Sequence, residues 1–315
     1  MDRVRGEAGV TVGVIDIGTN TVLLLVARID AGGALTPLLY EQRIPRLGAG
    51  VDATRNIAPA AMARVIAVLK EYAALAAPHD PAAMAVCGTS AVRDASNREA
   101  FASEIFEQTG YRLEVLSGDE EAYWTYRGAV SGIPGADRVT VVDIGGGSTE
   151  IITGSRAGID RRISLPLGSV RLTERFFRHD PPVPAELEAA AQFTDGELER
   201  ASGFPYGGST LVGVAGTATS LAILARGLKR FNIADVTNTP LARGSVEDLF
   251  TRLSNMSSAE ILGLSPVMEG RSDVITAGAL VARALMTRFG FDVMSVSERG
   301  VRYGIAIREA ERLSR

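Results

Sequence analysis

The chain carries one short pattern twice, and that repeat limits what it can fold into more than any other feature. Residues 12–17 read VGVIDI and run into Gly18-Thr19-Asn20-Thr21 and then VLLLVARI. Residues 139–144 read VTVVDI and run into Gly145-Gly146-Gly147-Ser148-Thr149 and then EIITGS. Each copy is a β-branched run ending in Asp, a Gly/Ser/Thr turn and a second apolar run, which predicts strand, tight turn, strand. Asp16 and Asp143 stand 127 positions apart (143 − 16), a domain-sized spacing and too long for a solenoid. The chain therefore reads as two related halves, over 1–130 and 131–302. The loop around Ser131–Gly135 is their boundary and candidate hinge. The closing helix, over 303–315, is expected to pack back on the first half.

Between and after the two copies, apolar spacing alternates between strand and helix. Strands are predicted over 35–44, 83–86, 111–116, 159–165, 211–215 and 293–296. Helices are predicted over 60–76, 97–108, 117–130, 170–178, 185–200, 271–288 and 301–313. The alternation predicts an α/β architecture. At 315 residues with 46% hydrophobic content, the chain has material for two packed cores. A single cysteine, Cys87, excludes an intrachain disulfide and a cysteine metal cluster. Two histidines, His79 and His179, are too few for a three-histidine zinc site. Both precede Asp-Pro, at Asp80-Pro81 and Asp180-Pro181, and read as turns. No apolar run approaches the roughly 20 residues of a membrane helix, and MDRVRGEAG has no apolar leader core, so a cytoplasmic location is expected and no membrane partner. A net charge of −4 argues against non-specific duplex DNA as a partner. Of 33 cationic residues only Lys70 and Lys229 are lysine. Codon bias of a GC-rich genome accounts for this, though arginine also suits bidentate contact with phosphate.

The two Asp-Ile-Gly turns carry the chemistry. Backbone amides in a Gly-rich turn at a strand end suit phosphate oxygens, and an Asp there is placed to reach a magnesium ion or its waters. Two matched turns on facing lobes would grip a phosphate chain from both sides. No GxxxxGK[ST] sequence occurs, so a P-loop is not supported. Gly216-Thr217-Ala218-Thr219 follows a predicted strand and reads either as a third phosphate-side turn or as close helix–strand packing. In Ser117-Gly118-Asp119-Glu120-Glu121, Ser117 and Glu120 form a capping box and Asp119 adds to the dipole interaction. Glu121 is left without a required structural role, free to act as general base or simply to add to the dipole term. Arg93 is a candidate phosphate clamp or the partner of Asp94 or Glu99. Arg271 and Asp273 read as capping residues of the helix they open.

Taken in order, VIDIGTNT (14–21), GTSAVR (88–93), LSGDEEA (116–122), VDIGGGSTE (142–150), AGTAT (215–219) and Arg271-Ser272-Asp273 resemble the exopolyphosphatase/guanosine-pentaphosphate phosphohydrolase (Ppx/GppA) family along nearly the whole chain. The resemblance implies two RNase H-like lobes of the actin/sugar-kinase-like superfamily with a cleft between them. It implies Glu121 as catalytic base, and Asp143 and Glu150, with Asp16 as a further candidate, as the magnesium end of the site, manganese being a possible substitute. It implies Gly145, Gly146, Gly147 and Ser148 as one phosphate-binding turn and Gly18, Thr19, Asn20 and Thr21 as the facing one. Arg93, Gly216 and Thr217 are further phosphate contacts. Thr19 and Thr21 stand where serine is frequent, with the hydroxyl kept. The length resembles the short, two-lobed members, so no long polymer channel is expected. The implied activity is hydrolysis of the terminal phosphoanhydride of inorganic polyphosphate, with guanosine pentaphosphate as the alternative substrate and a homodimer as the family-level expectation. An ATP-dependent small-molecule kinase and an actin-like nucleotide-binding protein are the alternatives of other classes on the same fold.

Overall fold

The computed structural model describes residues 9–133, 135 and 137–314. The N-terminal stretch inspected for a leader, residues 1–8, and Pro134 of the predicted boundary loop lie outside the described residues. The chain divides into two compact units, one of residues 1–116 with 301–315, the other of residues 117–300.

In the first unit, β1 (Val10–Ile17), β2 (Val22–Ile29) and β3 (Leu35–Arg43) form an antiparallel meander. The chain continues through α1 (Val51–Thr54), α2 (Pro59–Ala76), β4 (Ala83–Gly88), α3 (Ser90–Asp94), α4 (Arg98–Thr109) and β5 (Leu113–Val115). β4 joins β1 in parallel and β5 joins β4, giving the order β3-β2-β1-β4-β5. Strand alternation sends Ile15, Ile17, Val22, Leu24 and Val26 into a core with Leu69 and Tyr72 of α2 and Phe101 and Ile105 of α4.

The second unit repeats the plan. It starts with α5 (Gly118–Val130), then β6 (Val139–Ile144), β7 (Thr149–Ser155) and β8 (Gly158–Leu165), again an antiparallel meander. α6 (Ser169–Phe176), α7 (Pro184–Glu199), β9 (Thr210–Val214), α8 (Ala215–Arg226), α9 (Ile233–Val236), β10 (Pro240–Ala242), α10 (Arg243–Leu253), α11 (Ser258–Leu264), α12 (Ile275–Arg288) and β11 (Val293–Val296) follow. β9 and β11 extend the sheet in parallel from β6, and β10 caps the edge, giving β10-β11-β9-β6-β7-β8. One face carries Val142, Ile144, Ile151 and Leu211 into the large core around α8, α10 and α12. The other carries Val139, Val141, Ile152, Val212 and Val214 against Ala122, Tyr126 and Ala129 of α5, an i, i+4, i+7 stripe. α13 (Val301–Leu313) then returns to the first unit and packs on β1, β2 and β4. Both halves have the RNase H-like arrangement that the family resemblance implies.

Three boundaries differ from the sequence reading. The division falls at Leu116/Ser117, not at 130/131, because the apolar stripe of α5 is buried on the second sheet. α13 spans Val301–Leu313 as predicted, and the segment that packs back on the first unit starts with it at 301, not at 303. α12 begins at Ile275 instead of 271, because Met268–Val274 is spent on tight turns in which Arg271 and Ser272 both donate to the Met268 carbonyl. α9, β10, α10 and α11 are not among the predicted elements, although Val246, Leu249, Phe250 and Leu253 give α10 an i, i+3, i+4, i+7 stripe.

Because α13 covers the face of β1 that carries Val12 and Val14, a chain ending at Gly300 should lose the first unit selectively. Limited proteolysis is expected to cut rapidly within residues 9–116 of that variant and to spare 117–300.

Candidate active site

In the second unit the site is built on the sheet face beneath α5. Asp143, two residues beyond Val141, points to that face. Glu150 sits directly across from Asp143 in the β6–β7 register, and Ser164 of β8 sits across from Glu150. Ser164 Oγ donates to Glu150 Oε1 at 2.6 Å. The third carboxylate comes from α5. Its N-terminus is fixed by the predicted capping box: Ser117 N donates to Glu120 Oε2 (2.9 Å) and Glu120 N to Ser117 Oγ (3.2 Å). Asp119 is held outward by both ends of the Arg162 guanidinium. Glu121 is thus the acid of this turn that enters the interior, with 7% exposure.

Two glycines let α5 come this close. A Cβ on Gly118 would lie 2.7 Å from the Ser164 Cβ, and one on Gly154 would lie 2.7 Å from the Tyr126 hydroxyl oxygen. That hydroxyl donates to the Ser155 carbonyl at 3.0 Å.

Glu150 is 1% exposed and has its pKa pushed well above the ordinary value of 4.5, by burial first and then by the charges of Glu121 and Asp143. Hydrogen bonds from Ser164 and Ser148 offset part of the rise. The arrangement fits magnesium, which takes one or two carboxylates and completes its shell with waters and phosphate oxygens. Asp143 and Glu150 are adjacent hard-oxygen donors whose repulsion a divalent cation would relieve. Among the described residues no group of three or more His, Cys, Asp or Glu is spaced to hold a metal by itself, so waters and substrate oxygens would complete the shell.

The Gly-rich turn follows Ile144. Gly145 N donates to the Ser148 carbonyl (3.0 Å). The turn's carbonyls are taken from the other side by the start of α6: Ser169 N donates to Gly145 O (2.9 Å), and Val170 N and Arg171 N to Gly146 O (2.9 and 3.0 Å). Buried Arg171 donates Nε to Gly147 O at 2.7 Å. With its carbonyls engaged, the Gly145 amide closing the turn and the Ser148 hydroxyl bonded to Glu150, what the turn offers an anion is the amides of Gly146 and Gly147.

In the first unit, Gly18, Thr19, Asn20 and Thr21 make the same turn, Gly18 N donating to Thr21 O at 2.9 Å. Its carbonyls are likewise braced, Thr19 O by Gly48 N (2.7 Å) and Asn20 O by Arg46 N (3.1 Å). Asp16 precedes it on β1 and is buried. Arg93, on α3, donates to the Leu116 carbonyl (2.9 Å), which ties α3 to the end of β5. Gly216 and Thr217 open α8 in the second unit. Thr217 packs against Gly278 of α12, where a Cβ would lie 2.7 Å from its Cγ2. Gly216 lies under the Arg271 guanidinium, 2.3 Å from where its own Cβ would be. The close-packing reading describes this segment.

Sequence reasoning missed Ser164, Gly168 and Arg171. Ser164 is linked to Glu150 only through strand register, and Arg171 touches the turn from 24 residues away. Gly168 has a detectable reason: its Cβ would lie 2.4 Å from Gly146 O and 2.6 Å from Gly147 N.

These two RNase H-like units, each with an Asp-Ile-Gly turn at the end of its first strand, have the fold of the actin/sugar-kinase-like superfamily. At that distance, nucleoside triphosphate hydrolases of Neospora caninum share the fold at 11% identity and TM-score 0.54. The chain belongs to the Ppx/GppA phosphatase family, whose model matches residues 25–313. It is 39% identical to exopolyphosphatase 2 of Mycobacterium tuberculosis over 94% of this chain and 97% of that one. The solved Ppx/GppA protein of Aquifex aeolicus covers 98% of this chain and 100% of its own at 30% identity and TM-score 0.81. An exopolyphosphatase structure from Cytophaga hutchinsonii covers 96% of this chain and 98% of its own at 26% identity and TM-score 0.88.

Two outcomes are expected from this geometry. The folded chain holds the Glu150 proton more tightly than the unfolded chain does. The stability due to that proton is therefore present below pH 4.5 and lost as pH rises through the higher folded value. Glu150→Gln should raise the Tm of metal-free protein, by about 2–4 °C for each ~1 kcal/mol relieved. In calorimetric scans its advantage should widen as pH rises above about 4.5 and narrow when magnesium is added. Gly168→Ala meets backbone that cannot yield, so it should cost about 1–3 kcal/mol in urea titrations and weaken orthophosphate binding.

Proposed function

We propose that the chain is an exopolyphosphatase that hydrolyses the terminal phosphoanhydride of inorganic polyphosphate. The observation that carries the reading is Glu121, driven into the interior beside Asp143 and Glu150 at the foot of a phosphate-binding turn. The full-length likeness to named exopolyphosphatases supports the substrate class.

In this mechanism Glu121 accepts a proton from a water whose oxygen attacks the terminal phosphorus. The bond from that phosphorus to its bridging oxygen breaks, and the shortened chain leaves with the bridging electron pair. Amides of Gly146 and Gly147 hold the non-bridging oxygens where charge gathers, while the Gly145 amide closes the turn on the Ser148 carbonyl and the Ser148 hydroxyl serves Glu150. Gly18–Thr21 and Arg93 are the phosphate contacts proposed for the first unit. Asp143 and Glu150 would hold the magnesium, which when bound supplies neutralisation of phosphoryl charge. A cytoplasmic location and a homodimer belong to the same proposal. No helix among the described residues is long and apolar enough to cross a membrane.

General-base assistance contributes roughly 10²–10⁴-fold. Glu121→Gln should lose turnover by about that factor, with circular dichroism and Tm close to those of the parent. The assay is phosphate release with magnesium from short polyphosphate, long polyphosphate, guanosine pentaphosphate and ATP in parallel. Release from polyphosphate that Glu121→Gln abolishes is the expected result. Release from guanosine pentaphosphate alone would keep the mechanism and change the substrate. ATP consumption that requires an added alcohol would replace the hydrolase with a kinase.

A further inference from the structure

The repeat invites a position-by-position comparison of its two sheet faces. In the second unit α5 covers the face bearing Val139, Val141 and Asp143. In the first, α13 packs on β1 and β2. The opposite face of that sheet, with Ile15 and Ile17, belongs to the core under α2 and α4, so α13 covers Val12, Val14 and Asp16. Asp16 is thus the counterpart of Asp143, and α13 the counterpart of α5.

The chemistry around the two aspartates differs. Across from Asp143 stands Glu150, and across from Glu150 stands Ser164. Across from Asp16 stands Leu23, and across from Leu23 stands Gln42. On the parallel side Asp16 faces Cys87. The covering helix of the second unit brings in Glu121. The covering helix of the first brings in Arg302, 5% exposed, its guanidinium 4.7 Å from the Tyr40 ring centre and hydrogen-bonded to Tyr40. Tyr40 lies two residues from Gln42 on β3 and so shares the Asp16 face. A guanidinium this deeply buried needs a counter-charge; Tyr40 and Tyr303 are its nearest electrostatic neighbours, and the Asp16 carboxylate, on the same covered face, adds a smaller attraction.

We infer that Asp16 and Arg302 form a buried charge pair that holds the Gly18–Thr21 turn, and that Asp16 is not a metal ligand. The first unit keeps the shape of the catalytic half while its acid cluster is replaced by one acid and one arginine. The metal end of the site is then single, formed by Asp143 and Glu150. Arg302 is a positioning residue that acts through Asp16 and the turn that follows it. The metal half of this inference rests on the function proposed above; the charge pair does not.

The test is a double-mutant cycle with Asp16→Asn, Arg302→Met and the pair together, read first by Tm. Each single change strands a buried charge, so the double variant should melt higher than the sum of the two losses predicts. Additive losses would overturn the charge pair. Mn²⁺ binding, followed by electron paramagnetic resonance in the presence of orthophosphate, is the second readout. One site is expected, retained within about twofold in Asp16→Asn and weakened at least about tenfold in Asp143→Asn, where tenfold corresponds to ~1.4 kcal/mol. Equal weakening by both would make Asp16 a ligand and overturn that half. Absence of Mn²⁺ binding by the parent would overturn both the metal reading and the single-site claim, and the thermal cycle would still decide the pair. In kinetics, Arg302→Met should raise KM for polyphosphate about tenfold, with the magnesium dependence of kcat unchanged. Arg302→Lys, which keeps charge without the planar fork, should recover more of the Tm than of the KM.

Discussion

Three carboxylates share the interior of one sheet face, and the second unit is organised around making that tolerable. Burial penalises each charge and their proximity adds repulsion, which is why the Glu150 proton is held so firmly. Opposing this are Ser164 and Ser148, which donate to Glu150. The apolar stripe of α5 also buries itself against Val139, Val141 and Ile152 and carries Glu121 in with it. The capping box fixes where α5 begins, and Gly118 and Gly154 set how near it lies. A cluster of like charges is poor structure, and a divalent cation seated among the carboxylates would relieve their repulsion.

The two Asp-Ile-Gly turns share a design that explains their glycines better than flexibility does. Each is closed by one internal hydrogen bond, and each has its carbonyls engaged from outside, by the start of α6 in one unit and by residues 46–48 in the other. Consuming the acceptors leaves the donors as the turn's chemical face. Gly168 belongs to this device although it lies outside the motif: any side chain there would press on Gly146 and Gly147.

The halves also show how a repeat diverges. Backbone register, strand order and turn geometry are kept, while the side chains on the covered face change from acids to Leu23, Gln42, Cys87 and Arg302. Shape is set by hydrogen-bond ladders and apolar alternation, which tolerate such changes; charge is not.

Periodicity and turn chemistry suffice for β1, β2, β6 and β7, for the capping box of α5 and for the two Asp-Ile-Gly turns. All of these depend on residues within a few positions of one another. The same local logic isolated Glu121, because its neighbours already had structural roles. Other features rest on contacts that adjacent residues cannot encode. α5 belongs to the second sheet and α13 to the first, a choice made by which apolar face each stripe fits. Ser164 reaches Glu150 through register across a hairpin, and Arg171 reaches Gly147 from a later helix. The pairing of Asp16 with leucine and arginine, against Asp143 with two glutamates, is likewise invisible in two nearly identical motifs. The sequence by itself determined the repeated strand–turn–strand units and the Gly/Ser/Thr turns that join them. Only the tertiary structure decided which aspartate sits among acids, because the charges that answer the question arrive on other strands and on the helix that covers each sheet.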